Sequence, residues 1–436
     1  ERGMQMNIVI VGGSFAGIHA AIYLRQLMPT SEIYLIEKQS KLGWIPSGFN
    51  LILKGKVTSE KQLSWITKEE LTDRYRIHVY TEKTVIGLKE KKVVLAGGKK
   101  LDFDRLILAT GSNQKFRNIS AESTLIHPVK KIQNVTALQQ KIMNAKKIAI
   151  IGAGQAGIEI AEGLASRKKQ IHLYESRKSI LFRYLDPEMT EPLVKEMKNQ
   201  GLSLFLEEQV VSLTENETAI VETEKRKENY DLVLLANHSR PDNQMWEEQL
   251  TLNDDGTIWV DDYLQTSQKD VYAIGDAIQV TFRPTNEKMY VSLVNNAVRT
   301  ARNVSKTISG SQTKDQGTYR PVGNQWFGYF LGSVGLTEEE SIFYPQKIET
   351  GYVDYKLTAI NQSKVKLKFL FDSEKKILGA QLQSKKEMFH LLDQLTIAVE
   401  EGWTFEQLEE HELFFQPEYR VPDMVWSKVA NTAYED

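Results

Sequence analysis

Cysteine is absent from all 436 residues. That excludes disulfides, thiolate metal sites, iron–sulfur ligation and any cysteine nucleophile. An excess of charge of one sign is lacking too: Lys and Arg number 55 against 57 Asp and Glu, a formal net charge of −2. The chain shows no electrostatic footprint for nucleic acid or an anionic membrane, and neither is expected as a partner. No run approaches the ~18 uninterrupted apolar residues of a membrane span. Stretch 8–24 superficially resembles a secretory leader, but Gly12, Gly13, Ser14, Gly17 and His19 interrupt it, so a cytoplasmic protein is expected. The residues ahead of Met4 read as an extraneous remnant. The seven histidines lack metal-ligand spacing, and no metal site is expected.

What is present is an ordinary globular composition, 41% hydrophobic and 26% charged, in a chain long enough for two or three domains. It repeats itself. An apolar run from Asn7 leads into Gly12, Gly13, Ser14, Phe15, Ala16 and Gly17; another from Lys147 leads into Gly152, Gly154, Gln155 and Gly157. Each continues into an alanine-rich helix and then a second apolar strand ending in an acid, Glu37 or Glu175. These are two βαβ units. A third block differs: 365–371 alternates as a half-buried strand does, and Met388, Leu391, Leu392, Leu395, Ala398 and Val399 recur at helical spacing. Loop 309–317 is the expected boundary before it.

A dinucleotide site needs a tight turn after the first strand, backbone close to the pyrophosphate, and a helix N-terminus aimed at its charge. Gly152, Gly154 and Gly157 supply all of this, and Glu175 can accept both ribose hydroxyls. A carboxylate there repels a 2′-phosphate, so NADH is preferred over NADPH; Arg177 weakens the preference slightly. The first motif has Ser14 for the middle glycine, small enough for close approach. One such motif is weak evidence; two, each with a placed acid, are stronger. Three further strand ends follow: 106–112 with Ala109, Thr110 and Gly111; 231–241; and 271–277 with Gly275 and Asp276.

Together and in this order these segments resemble the FAD-dependent pyridine nucleotide–disulfide oxidoreductases, closest to the NADH oxidase and NADH peroxidase branch. The resemblance covers nearly the whole chain; Phe414, Phe415, Gln416 and Pro417, with segment 377–382, look like that branch's dimerisation domain. It implies an α/β fold with two Rossmann-like nucleotide-binding domains and a C-terminal α+β dimerisation domain. The FAD domain is discontinuous (1–115 and 242–318), the NAD(H) domain is inserted (116–241), and 319–436 forms the third. A homodimer or higher homo-oligomer is implied, with FAD and NADH as cofactors. To the flavin it assigns Gly12, Ser14, Phe15, Ala16, Gly17, Glu37, Lys38, Pro46, Ser47, Val79, Ala109, Thr110, Gly111, Gly275, Asp276, Leu293 and Ala297. Gly152, Gly154, Gln155, Gly157, Glu175, Tyr184 and His238 go to NADH. Ser47, Phe15, Glu159 and His411 are the catalytic candidates: Glu159 paired with a lysine such as Lys41, His411 reaching the partner's flavin as proton donor.

The chain departs from the family where chemistry matters. Ser47 stands at the redox-cysteine position, and a hydroxyl cannot cycle through a sulfenic acid. Phe15 replaces a histidine, Gln155 an aromatic gate, His238 a glycine. The leading expectation is an enzyme that oxidises NADH and passes electrons from flavin directly to O2, forming hydrogen peroxide, or to another small acceptor. Three alternatives stay open: a peroxidase or water-forming oxidase captured as a Cys-to-Ser variant, a ferredoxin- or rubredoxin-type reductase, and a non-catalytic flavin-binding NADH sensor.

Overall fold

The computed structural model describes residues 5–46, 48–114, 116, 123–130, 134–237, 239–241, 243–358, 360, 363–418 and 429. Its first sheet is five parallel strands in the spatial order Val271–Ala273, Arg105–Leu108, Asn7–Val11, Glu32–Ile36, His78–Tyr80. The chain starts at the centre, winds outward one way, and returns to build the other side. The last strand joins only after the whole second sheet has been made, so this first unit is discontinuous in sequence.

The second sheet repeats the plan: Leu202–Phe205, Gln170–Tyr174, Lys147–Ile151, Leu232–Leu235, Ile126–Pro128, again all parallel. Central strands of both sheets are apolar and buried on both faces, as helix-covered parallel strands must be. Each sheet thus has a switch point beside its central strand, where α/β folds bind ligands at the carboxyl ends of the strands. The two linkers between the units pair as the short antiparallel strands Ser112–Asn113 and Arg240–Pro241.

The third sheet is antiparallel: Val322–Trp326, Tyr329–Gly335, Ile377–Ser384, Lys364–Phe371, Glu349–Lys356. Helix Phe389–Glu401 covers it with Leu391, Leu392, Leu395, Ala398 and Val399, as the spacing predicts. Segment 309–317 is not a free loop. A further helical turn, Thr307–Ser311, follows helix Val294–Lys306, and Asp315 ties back to Arg299 and Asn303 at 3.0 Å each. Among the described residues no helix is long and apolar enough to cross a membrane.

A fully buried lysine joins the third sheet to the second unit. Lys368 Nζ lies 2.7 Å from Asp186, 3.1 Å from Glu338 and against Glu188, with Tyr352 donating to Glu188 at 3.0 Å. Three carboxylates this close could hold a cation, and the ammonium takes that place. Burial opposes ionisation of Glu188, but its hydrogen bond from Lys368 and the remaining contacts outweigh burial and hold its pKa below the usual range. A depressed carboxylate contributes stability above its unfolded pKa and loses it as the pH falls through its folded value. Lys368→Met leaves buried Asp186 uncompensated and is expected to cost about 3–5 kcal/mol. Urea titration checks this; a loss below about 1 kcal/mol, the size of an exposed pair, refutes the account.

Candidate functional site

The two switch points open into one cavity of about 1020 Å³. Small-ligand pockets usually span roughly 300–1,000 Å³, so this volume suits extended nucleotides. Its geometry follows from two nearly superposable turns. Gly12 (φ +118°) and Gly152 (φ +105°) end the central strands in a conformation that L side chains rarely adopt. Their N–H groups still complete the sheet, donating to Ile36 and Tyr174 carbonyls at 2.8 Å each. Gly17 and Gly157 press onto the carbonyls of Gly12 and Gly152, leaving no room for a Cβ. Helices Phe15–Leu27 and Gln155–Ala165 therefore begin at the cavity, and neither has a side-chain cap. Their first N–H groups are free for phosphate, and a Cβ at Gly154 would meet only open space.

The acids have a structural part that the motif did not reveal. Glu37 accepts from Gly13 N at 2.7 Å and Gln39 N at 2.8 Å; Glu175 accepts from Ala153 N at 2.9 Å and Arg177 N at 3.0 Å. Each carboxylate so fixes the turn that precedes it in the chain while lining the cavity.

Of the flavin-side candidates, Gly12, Ser14, Phe15, Ala16, Glu37, Lys38, Pro46, Ala109, Thr110, Gly111, Asp276, Leu293 and Ala297 line the cavity. Gly17 and Gly275 do not; they pack on Gly12 and on Ala16. Val79 is a correction. It is buried within strand His78–Tyr80, and Thr84 and Val85 beyond the strand reach the cavity instead. On the other side Gly152, Gly154, Gln155, Glu175 and Tyr184 line it, while Gly157 packs the turn. Ser47 and His238 lie outside the described residues.

Glu159 lines the cavity and is only 8% exposed, but Lys41 is not its partner, a second correction. Lys41 pairs with Glu60, and the nearer lysine, Lys54, pairs with Glu162. Glu159 accepts from the amides of Asn50 and Asn324, 2.5 Å each. Burial raises its pKa, more than the two amide donors and Lys54 lower it. His411 is placed away from the cavity of its own chain, exposed and stacked on Trp403 at 4.1 Å between ring centroids.

Sequence reasoning missed a part-buried network. Lys130 Nζ meets Asp276 Oδ2 at 2.7 Å, Ser112 Oγ at 2.6 Å, Ser292 Oγ at 3.0 Å and Ser239 Oγ at 3.2 Å. Burial works against the Asp276 charge, but Lys130 and the hydroxyls prevail and lower its pKa. Behind Phe15 on the cavity wall, Trp65 stacks on that ring (5.5 Å) and meets His19 at a tilt (4.9 Å). Lys130 belongs to no motif, and Trp65 comes from a segment without periodic signal; only folding brings them here.

Comparisons with known proteins agree with this geometry. A sequence profile of the pyridine nucleotide-disulphide oxidoreductases matches residues 6–301. An NADH oxidase of Enterococcus faecalis is 28% identical over an alignment 450 positions long, covering 99% of this chain and 100% of that protein. A coenzyme A disulfide reductase of Staphylococcus aureus is 26% identical, covering 95% and 97%. The NADH-bound water-forming NADH oxidase of Lactobacillus brevis superposes with a TM-score of 0.92 at 25% identity, covering 99% and 98%.

In the ligand-free protein the Glu159 carboxyl is expected to titrate above the ordinary range, and higher still in Asn324→Leu, which removes a donor favouring the ionised form. Carboxyl NMR, with Glu159→Gln identifying the resonance, checks both; titration at or below the usual value contradicts them.

Proposed function

The chain belongs to the pyridine nucleotide–disulphide oxidoreductase family, and we propose that it is an FAD enzyme that oxidises NADH and delivers the electrons directly to a small acceptor. With dioxygen as acceptor the product is hydrogen peroxide. One observation carries the reading: two dinucleotide turns, each with an uncapped helix N-terminus, open into a single continuous cavity that contains no cysteine.

The residues present fit both groups. FAD would lie along Gly12, Ser14, Glu37 and Ala109–Gly111, with Asp276 toward its ribityl chain; NADH would lie along Gly152, Gly154, Glu175 and Tyr184. When bound, FAD supplies the capacity to take two electrons from NADH and pass them on. The protein's own contribution is placement and environment. Glu37 and Glu175 offer their remaining lone pairs to ribose hydroxyls. Lys130 keeps Asp276 ionised and so an acceptor. Glu159, between two amides, has its pKa raised by burial and lies at the cavity wall. Phe15, Trp44, Pro46 and Phe49 form an apolar wall that excludes water. Ser47 offers a hydroxyl and no redox chemistry.

In this reading Gln155 leaves the nicotinamide pocket ungated. A homodimer would cover Phe414 and Phe415, which stand 67% and 54% exposed in the single chain, and would bring His411 of one copy toward the other.

Anaerobic addition of NADH to the purified yellow protein is expected to bleach the flavin bands, and readmitted air to yield one peroxide per NADH. Water as the only product, or a flavin that stays oxidised at millimolar NADH, defeats the proposal. Much faster reduction of a ferredoxin than of oxygen moves the acceptor to a redox protein. Lys130→Met, which leaves Asp276 charged and unpaired, is expected to weaken FAD retention by about tenfold or more, roughly 1.4 kcal/mol. Ultrafiltration with flavin absorbance measures it, and unchanged retention removes Lys130 from the site.

A further inference from the structure

Behind the cavity wall runs a line of rings that NADH oxidation does not use. Phe15 lines the cavity. Trp65 stacks on it at 5.5 Å between centroids, His19 meets Trp65 at 4.9 Å, and Tyr23 follows His19 at 6.3 Å. Phe15, His19 and Tyr23 are spaced one turn apart on helix Phe15–Leu27, so a single helix face carries them away from the cavity. Trp65, from another segment, packs against the first two. A hydrogen bond between His19 Nδ1 and the Phe15 carbonyl, 2.8 Å long, fixes the imidazole between Trp65 and Tyr23. Tyr23, at the outer end, is partly exposed.

The kinds of ring matter as much as their spacing. Phenylalanine resists oxidation, whereas tryptophan and tyrosine each give up one electron to a strong oxidant. Cysteine, another ready donor, is absent from the chain. Electron tunnelling weakens steeply with distance, and ring-to-ring steps of 4.9 Å and 6.3 Å are short. The indole Nε1 of Trp65 is a donor only, is buried, and has no partner among the described residues. A Trp65 radical cation therefore keeps its proton and remains a strong enough oxidant to take an electron from tyrosine. Tyr23 reaches solvent, where the phenolic proton can leave as the electron does, and that makes it the end of the line.

We propose that Trp65 and Tyr23, bridged by His19, form an exit path for one-electron oxidising equivalents that arise at the flavin. An oxidant at the flavin site takes one electron from Trp65. Tyr23 returns one electron to Trp65 and releases its phenolic proton to water. A small reductant at the surface, such as ascorbate, restores Tyr23 with one electron and one proton. The oxidant that can be switched on at will is the light-excited oxidised flavin itself. The inference rests on the reading that the first turn holds FAD. It adds to that reading a protective activity, which moves radical chemistry from the cofactor to a replenishable surface phenol.

The test is illumination of the FAD-loaded protein without NADH, with ferricyanide present to take the electron from the flavin, then freezing and electron paramagnetic resonance. A tyrosyl radical is expected in the parent protein. Tyr23→Phe and Trp65→Phe are each expected to abolish it at equal bound flavin. Absence of the radical from the flavin-loaded parent overturns the proposal. So does a signal that survives Tyr23→Phe, because another tyrosine is then the terminus, or one that survives Trp65→Phe, because another donor such as Trp44 then feeds it. A parent protein that holds no flavin takes down the reading of the first turn and this proposal with it, whereas a yellow protein without the radical overturns this proposal alone.

Discussion

The arrangement of the cavity depends on a glycine held in the left-handed region immediately after each central strand. At Gly12 the reversal lets the N–H finish the parallel ladder to Ile36 while the carbonyl turns to receive Gly17. That contact pins the start of the helix, so its uncapped N-terminus faces the ends of the strands. The same turn touches the neighbouring strand: a side chain on Gly12 would collide with the Ala109 carbonyl, so the path of Ala109–Gly111 is set by the same lack of a Cβ. At Gly152 the collision is with Ala236. One conformational requirement therefore places the strand end, the helix dipole and the opposite lip of the site, and the acid at the end of the adjacent strand closes it through Gly13 or Ala153.

This is also why so much was legible in the sequence. A glycine pattern between an apolar run and an alanine-rich helix has few three-dimensional solutions, and both turns and both acids lie where the pattern puts them. Legibility ends where contacts come from segments without a pattern. Glu159 was placed on the correct helix, but its partners come from Asn50 and from Asn324 in the third sheet, a block with no nucleotide motif. Lys41 and Lys54 flank the same turn and its short helix, and sequence alone does not say which one meets the helix bearing Glu159. Val79 fails for a simpler reason: a strand this short buries its middle residue, and the chain after it does the reaching. Lys130 carries an ordinary basic side chain whose weight appears only once Asp276 is in view.

The absence of thiols has a structural counterpart. Among protein side chains, reversible two-electron storage belongs to thiols, so a cavity without one has no redox store of its own. What faces it near the turn at Pro46 is aromatic and apolar: Phe15 stacked on Trp65, with Trp44 and Phe49. Such a wall raises the cost of charge in the cavity and strengthens the groups that do carry it there, Asp276 with Lys130 and Glu159 between its amides. Two polar clusters in apolar surroundings are better defined in position than they would be in a wet cleft, because every alternative leaves a buried group unpaired.

The third sheet belongs to this site as well as to any partner. Asn324 donates to Glu159, and the backbone N–H of Phe327 donates to Glu162 at 2.9 Å, so the first hairpin of that sheet is stitched to the helix that starts at Gln155. Lys368 anchors the far end, against Asp186 and Glu188 at the start of helix Pro187–Asn199. A buried lysine among acids is a poor source of net stability, but a shifted docking would leave Lys368 and Asp186, both buried, without their partners. The same docking sets the position of Asn324, one of the two amides that donate to Glu159. The sheet's placement thus acts on the cavity chemistry from within one chain, before any second copy is added.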